Sequence, residues 1–128
     1  MSIDFKNGVT RFSKLKEVDN GTFDKVGSPI LVDGEQIVAS FRGIRDGVIF
    51  TDKRIISINV QGIVGKKKDF TSMLYNKIQI FAVETAGAAL DYDTELEMWF
   101  SGVGKVTFEF SYTQDILAIC KFISEKTL

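Results

Sequence analysis

Three features of the sequence predict a mainly β fold, a β-rich α+β domain of about seven antiparallel strands closed by a C-terminal helix. From Phe41 to Gly87 the chain is a succession of short β-branched runs separated by tight charged turns. From Thr94 to Ser111 it alternates strictly between apolar and polar residues. After Thr113 the apolar spacing changes to that of a helix.

Before Glu35 the pattern is mixed. Phe5, Val9, Phe12, Leu15 and Val18 stand at roughly helical spacing, and Asn20-Gly21 is a break. Ser28-Pro29 is a start signal for a short helical turn, since proline is tolerated at a first helical position, and Asp33-Gly34 ends it. Residues 1–34 are therefore expected as a helical and turn extension packed on a domain that spans residues 35–128.

Gln36 to Phe41 reads as the first strand. Asp46-Gly47 is a turn dipeptide, because glycine accepts positive φ without a Cβ penalty. Val48 to Phe50 and Ile55 to Val60 flank the polar break Thr51-Asp52-Lys53-Arg54, which is the mark of a hairpin. A longer turn from Gln61 to Gly65 precedes Lys66, Lys67 and Lys68 and the run Phe70 to Leu74.

In the next pair Leu96, Met98 and Phe100 face inward while Glu95 and Glu97 face water. Val106, Phe108 and Phe110 repeat this across the turn Gly102-Val103-Gly104. Ile116, Ile119, Cys120 and Ile123 then share one helical stripe. Thr113 is the expected N-cap, and Asp115 suits the positive end of the helix dipole.

The motifs together resemble the bacterial pleckstrin-homology domain family. Gly43-Ile44-Arg45-Asp46 is followed by Phe50-Thr51-Asp52-Lys53-Arg54, then by Gln61-Gly62 with Gly65-Lys66-Lys67. Glu84-Thr85-Ala86-Gly87 and Asp91-Tyr92-Asp93-Thr94-Glu95-Leu96 complete the likeness, which runs from Glu35 to the C-terminus. The resemblance implies a pleckstrin-homology-like barrel, similar in fold to eukaryotic phosphoinositide-binding domains. It implies self-assembly into closed, typically pentameric rings. It supplies no catalytic residues and no cofactor.

Composition sets further bounds. A chain of 128 residues, 45% of them hydrophobic, is long enough for a single core. No run of ~18 uninterrupted apolar residues marks a membrane span, and the N-terminus lacks the apolar core of a signal peptide. A lone cysteine cannot form an internal disulfide, which suits a reducing compartment. The expected location is the cytoplasm, with attachment to the inner face of the membrane if the basic loops bind lipid. A net charge of −1 argues against a nucleic-acid partner.

Enzymatic function is disfavoured. The chain has no histidine, the commonest general base near neutral pH, and Cys120 lies on the apolar stripe, where it reads as a small buried hydrophobe. The glycines at 43, 47, 62 and 65 lack the strand–loop–helix context and the Lys-Ser/Thr ending of a phosphate loop.

Two charge clusters remain. Arg42, Arg45, Lys66, Lys67 and Lys68 are expected at one open end of the barrel, as a candidate site for an anion or an acidic lipid headgroup. Lys53 and Arg54 belong to the opposite end, and ordinary solvated turns are the preferred account of such charges. Glu84, Asp91, Asp93, Glu95 and Glu97 form an acidic segment without an intervening cation. It lacks the glycine of a calcium loop, so pairing with Lys105 or with a partner's basic surface is preferred to a metal. Trp99 shares the outward face with Glu95 and Glu97 and, with Asp93, completes a candidate oligomer interface. The expected partners are a second copy of the chain, another protein or an anionic lipid.

Overall fold

The computed structural model describes residues 8–44, 46–61, 67–85, 93–111 and 116–128. In chain order the elements are β1 (Val9–Val18), α1 (Asp24–Gly27), a 3-10 turn (Ser28–Ile30), β2 (Ile37–Arg42), β3 (Asp46–Thr51) and β4 (Arg54–Gln61). These are followed by β5 (Lys67–Leu74), a second 3-10 turn (Tyr75–Lys77), β6 (Ile78–Glu84), β7 (Asp93–Phe100), β8 (Gly104–Ser111) and α2 (Ile116–Thr127). The strands form one curled sheet in the order β5-β4-β3-β2-β1-β8-β7-β6. The architecture is the pleckstrin-homology-like half-barrel with its C-terminal helix.

Two expectations need correction. The segment around Phe12 is a strand rather than a helix, and it brings the described strands to eight. Its pairing with β8 is parallel, so the sheet is not wholly antiparallel. The physical reason is a bulge. Thr10 and Phe12 point inward at the period of two, the register then slips, and Leu15 is the next inward residue. Lys14 sits at φ 55°, the left-handed turn that such an extra residue needs. A period of two interrupted by one added residue gives the i, i+3 spacing that imitates a helix. Beyond the bulge β1 pairs antiparallel with β2, from Lys16 opposite Arg42 to Val18 opposite Ser40.

The later strands follow the sequence pattern closely. Thr94, Leu96, Met98 and Phe100 are buried along β7, and Val106, Phe108 and Phe110 along β8. The β7–β8 turn requires glycine at 104. There φ is 118°, and a Cβ would lie 2.1 Å from the carbonyl oxygen of Gly8. The core is aromatic: Phe12 stacks on Phe108 at 5.3 Å between ring centroids, and Phe41 packs on Phe110 at 4.7 Å.

Helix α2 buries Ile116 and Ile123, with Ile119 and Phe122 packed partly against the same cluster. Phe122 meets Tyr75 edge to face at 5.7 Å. Cys120 is half-buried rather than fully buried. The expected cap Thr113 and Asp115 lie outside the described residues. Pro29 does stand in the first turn of the short helix Ser28–Ile30. A second, smaller core of Phe23, Ile49, Ile56 and Ile58 lies on the outer face of β3 and β4, covered by Ile30 and Leu31.

One buried polar knot joins these layers. The Glu35 side chain is fully buried and accepts hydrogen bonds from Arg54 Nε (3.0 Å) and Nη2 (3.0 Å), the Thr51 hydroxyl (2.6 Å) and the Val32 amide (3.0 Å). Arg54 also donates to the Ile30 carbonyl (2.6 Å) and to Ser72 Oγ (3.0 Å), while the Tyr75 hydroxyl donates to the Thr51 carbonyl (2.7 Å). Burial pushes the Glu35 carboxyl up, but its hydrogen bonds from Arg54, Thr51 and Val32 outweigh this and hold it below the usual range. Burial, with Asp52 and Glu35 nearby, pushes the Tyr75 phenol up.

The packing and the knot each set measurable expectations. Phe108→Ala should cost roughly 3–5 kcal/mol in urea unfolding. A double-mutant cycle with Phe12→Ala should show a coupling of about 0.5–1.5 kcal/mol from the stacked rings. Arg54→Ala should cost about 3–5 kcal/mol, because it strands a buried carboxylate. Since folding depresses the Glu35 pKa, its contribution is complete above the ordinary carboxylate range and is lost as pH falls through the folded value. Melting temperatures measured from about pH 5 downward should therefore fall less steeply in Glu35→Gln than in the wild type.

Candidate functional site

The two charge clusters occupy different parts of the sheet. Arg42 ends β2, exposed, and its guanidinium carbon lies 5.6 Å from the centre of the Phe23 ring. Phe23 fits there because Gly47 has no side chain; a Cβ would meet the ring at 2.7 Å. Lys68 is exposed on β5. Arg45 and Lys66 lie outside the described residues, as does the side chain of Lys67.

The register places Lys16, Arg42, Gly47, Ile58 and Phe70 in one cross-strand row, so Arg42 and the start of β5 do share one end of the sheet. Three strand spacings, ~14 Å along the sheet, nevertheless separate β2 from β5, too far for one phosphate to bridge Arg42 and Lys68. Lys16, directly opposite Arg42, is a cation that sequence reasoning missed because β1 was read as helical. Lys53 and Arg54 lie at the other end of the hairpin, and Arg54 is consumed by the buried knot.

The acidic segment becomes a cross-strand ladder. On the outer face Glu84, Glu95 and Glu109 stand in one row across β6, β7 and β8. Arg11 of β1 reaches over β8 and pairs with both Glu95 and Glu109, the latter at 2.8 Å. The hydrogen bond from Arg11 holds the Glu109 carboxyl below its usual range against the opposing effect of burial, and the Lys14 amide helps. The same two carboxylates hold the Arg11 proton more tightly. Lys105 pairs with Glu97 at 3.1 Å, and its ammonium lies 6.0 Å from the centre of the Trp99 ring.

The repulsion expected along β7 is thus relieved within the molecule at Glu95 and Glu97. Asp93 opens β7, exposed, and Asp91 lies outside the described residues. Arg11 was missed for the same reason as Lys16; alternation of Thr10, Arg11 and Phe12 was the available signal. Trp99 is half-buried in a second outer row, Ile80–Trp99–Lys105, with Ile80 60% exposed at the sheet's margin.

Two grooves mark the surface of the described residues. One of about 300 Å³ lies between β5 and the β7–β8 turn and is lined by Met73, Leu74, Phe100, Val103, Val106 and Lys77. The other, about 190 Å³, lies between α2 and the first strands, lined by Glu17, Val38, Ala39, Phe50, Ile119 and Phe122. Both linings are mainly apolar, and each holds a single ionisable side chain. No helix among the described residues is long and apolar enough to cross a membrane.

Comparison with known proteins agrees with this geometry. The chain is 43% identical over 97 residues to the uncharacterized protein YjqA of Bacillus subtilis (strain 168), covering 74% of this chain and 77% of that one. It is similar to the crystal structure of a DUF1696-family protein with a pleckstrin-homology domain from Shewanella loihica PV-4, with a TM-score of 0.75 and 38% identity over 91% of this chain and 99% of that one. A pleckstrin-homology domain from Shewanella amazonensis SB2B matches with a TM-score of 0.63 and 39% identity, covering 88% of this chain and 91% of that one. The model of the family described as bacterial PH domain matches residues 8–127, which include β1. The chain belongs to the bacterial pleckstrin-homology domain family.

Proposed function

We propose that this chain is a non-enzymatic assembly module that joins copies of itself head to tail into a ring. The observation that carries the reading is the open sheet. Among the described residues its two outer strands, β5 and β6, each have one side without a strand partner, and the two differ in sequence. Unlike surfaces on one molecule make heterologous contacts, which repeat until rotation closes them. The family resemblance favours a pentameric closure. The apolar linings of the grooves, each with one ionisable group, favour binding over catalysis. Light scattering at micromolar concentration should give a mass several times the 14.3 kDa of one chain. A monomeric mass would refute the assembly reading.

A second reading is favoured by the exposed cations Lys16, Arg42 and Lys68 on one end of the sheet, which suit an anionic membrane surface. Each basic residue near such a surface contributes about 1 kcal/mol. Wild-type protein should then sediment with acidic vesicles at low salt and be released as salt screens the charges. Replacing Lys66, Lys67 and Lys68 by Gln should reduce sedimentation. No sedimentation of the wild type at low salt would dispose of the lipid reading and leave the assembly reading intact.

A further inference from the structure

We propose that the groove between β5 and the β7–β8 turn binds one medium-chain fatty acid, its carboxylate at Lys77 and its acyl chain over Met73, Phe100 and Val106. Such a site requires neither assembly of the chain nor its attachment to a membrane.

The floor of the groove is the core itself. Met73, Phe100 and Val106 belong to the main hydrophobic cluster and are almost buried. They are reached from outside because the curled sheet does not close; among the described residues β5 and β6 do not pair. Leu74, 45% exposed, and Val103 flank the opening. An acyl chain laid there leaves water and brings no hydrogen-bond donors that the lining would have to satisfy. Met73 is unbranched and adapts its shape to such a chain. A volume of about 300 Å³ stands at the lower end of the range for ligand sites, enough for one short chain and too small for a two-chained phospholipid.

Charge selects the head group. Among the described residues Lys77 is the single ionisable member of the lining, and no ion pair engages it. It is exposed at the end of the 3-10 turn that follows β5. Ile78 pairs with Phe100, which brings Lys77 and Ser101, one residue further along each segment, to the same rim. An ammonium beside a hydroxyl offers a carboxylate two kinds of donor. One cation matches one negative charge, as a fatty acid carries. The groove beside α2 is the converse case. Its single ionisable lining residue is Glu17, which repels an anion.

The test is isothermal titration of the full chain with decanoate, kept below its micelle concentration, and with decanol, which has the same chain and no charge. The wild type should bind one decanoate per chain, and decanol about tenfold more weakly. Lys77→Gln should weaken decanoate about tenfold, the loss of one charge-assisted contact, and leave decanol unchanged. Val103→Phe, which fills the groove, should weaken both. A thermal melt would verify that this variant folds, and the exposed change Lys77→Gln tests the site by itself if it does not. In methyl NMR spectra decanoate should shift Met73, Val103 and Val106 and leave Ile119, in the other groove, unmoved. Absence of decanoate binding, affinity indifferent to Lys77→Gln, or shifts at Ile119 instead would overturn the proposal. So would a short leucine-terminated peptide that binds this groove where decanoate does not.

Discussion

The continuity of the sheet depends on β1 changing partners at its bulge. Its first half lies parallel to β8 and its last residues antiparallel to β2, so the two hairpin-rich halves become one eight-stranded surface. The extra residue at Lys14 resets the pleat, which lets Phe12 and Leu15 face the same core from either side of the slip. Phe12 stacks on Phe108, and Leu15 lies opposite Phe110, so the aromatic core is built on this strand. The consequence for function is topological. Because β1 fills the middle of the sheet, the outer positions fall to β5 and β6.

Charge in this molecule is arranged to satisfy the fold before anything else. Glu35 and Arg54 are tied to each other, to Thr51, to Ser72 and to the Ile30 carbonyl, so they pin the short helical segment, the β3–β4 turn and β5 together. A buried pair of this kind adds little net stability over apolar packing, but loss of one member strands the other in a dry site. Arg11 plays a comparable part on the surface by spanning Glu95 and Glu109.

The structure therefore shifts attention from the outer face of β7 to the margin beside it. Trp99 stays relevant because it lies next to Ile80 in the same cross-strand row, where it extends an apolar strip inward from β6. Lys105 covers part of the Trp99 ring and pairs with Glu97, which ties that pair to intramolecular work. The basic end of the sheet is likewise more dispersed than the run from Arg42 to Lys68 suggests, since its described members are spread over several strands. A dispersed cationic surface suits a membrane plane better than a compact anion pocket.

Local sequence by itself determined β2 to β5, β7, β8 and the last helix, while β6 was not assigned from its own pattern; alternation and helical spacing are set by residues a few positions apart. Leu96, Met98 and Phe100 could be assigned to the core from their period alone, and Ile116 and Ile123 from theirs. The motifs between Phe41 and Leu96 were likewise enough to identify the fold family. Tertiary structure decided what depends on partners distant in sequence. The β1 bulge broke the very periodicity that would have revealed the strand. The cation that pairs with Glu95 and Glu109 is 84 and 98 residues away from them, a separation that no local pattern records. The outer strands, and hence the place of Glu84 and Lys68 at the two margins, follow from strand order. That order is set by the long-range pairing of β1 with β8, not by any property of β5 or β6 themselves.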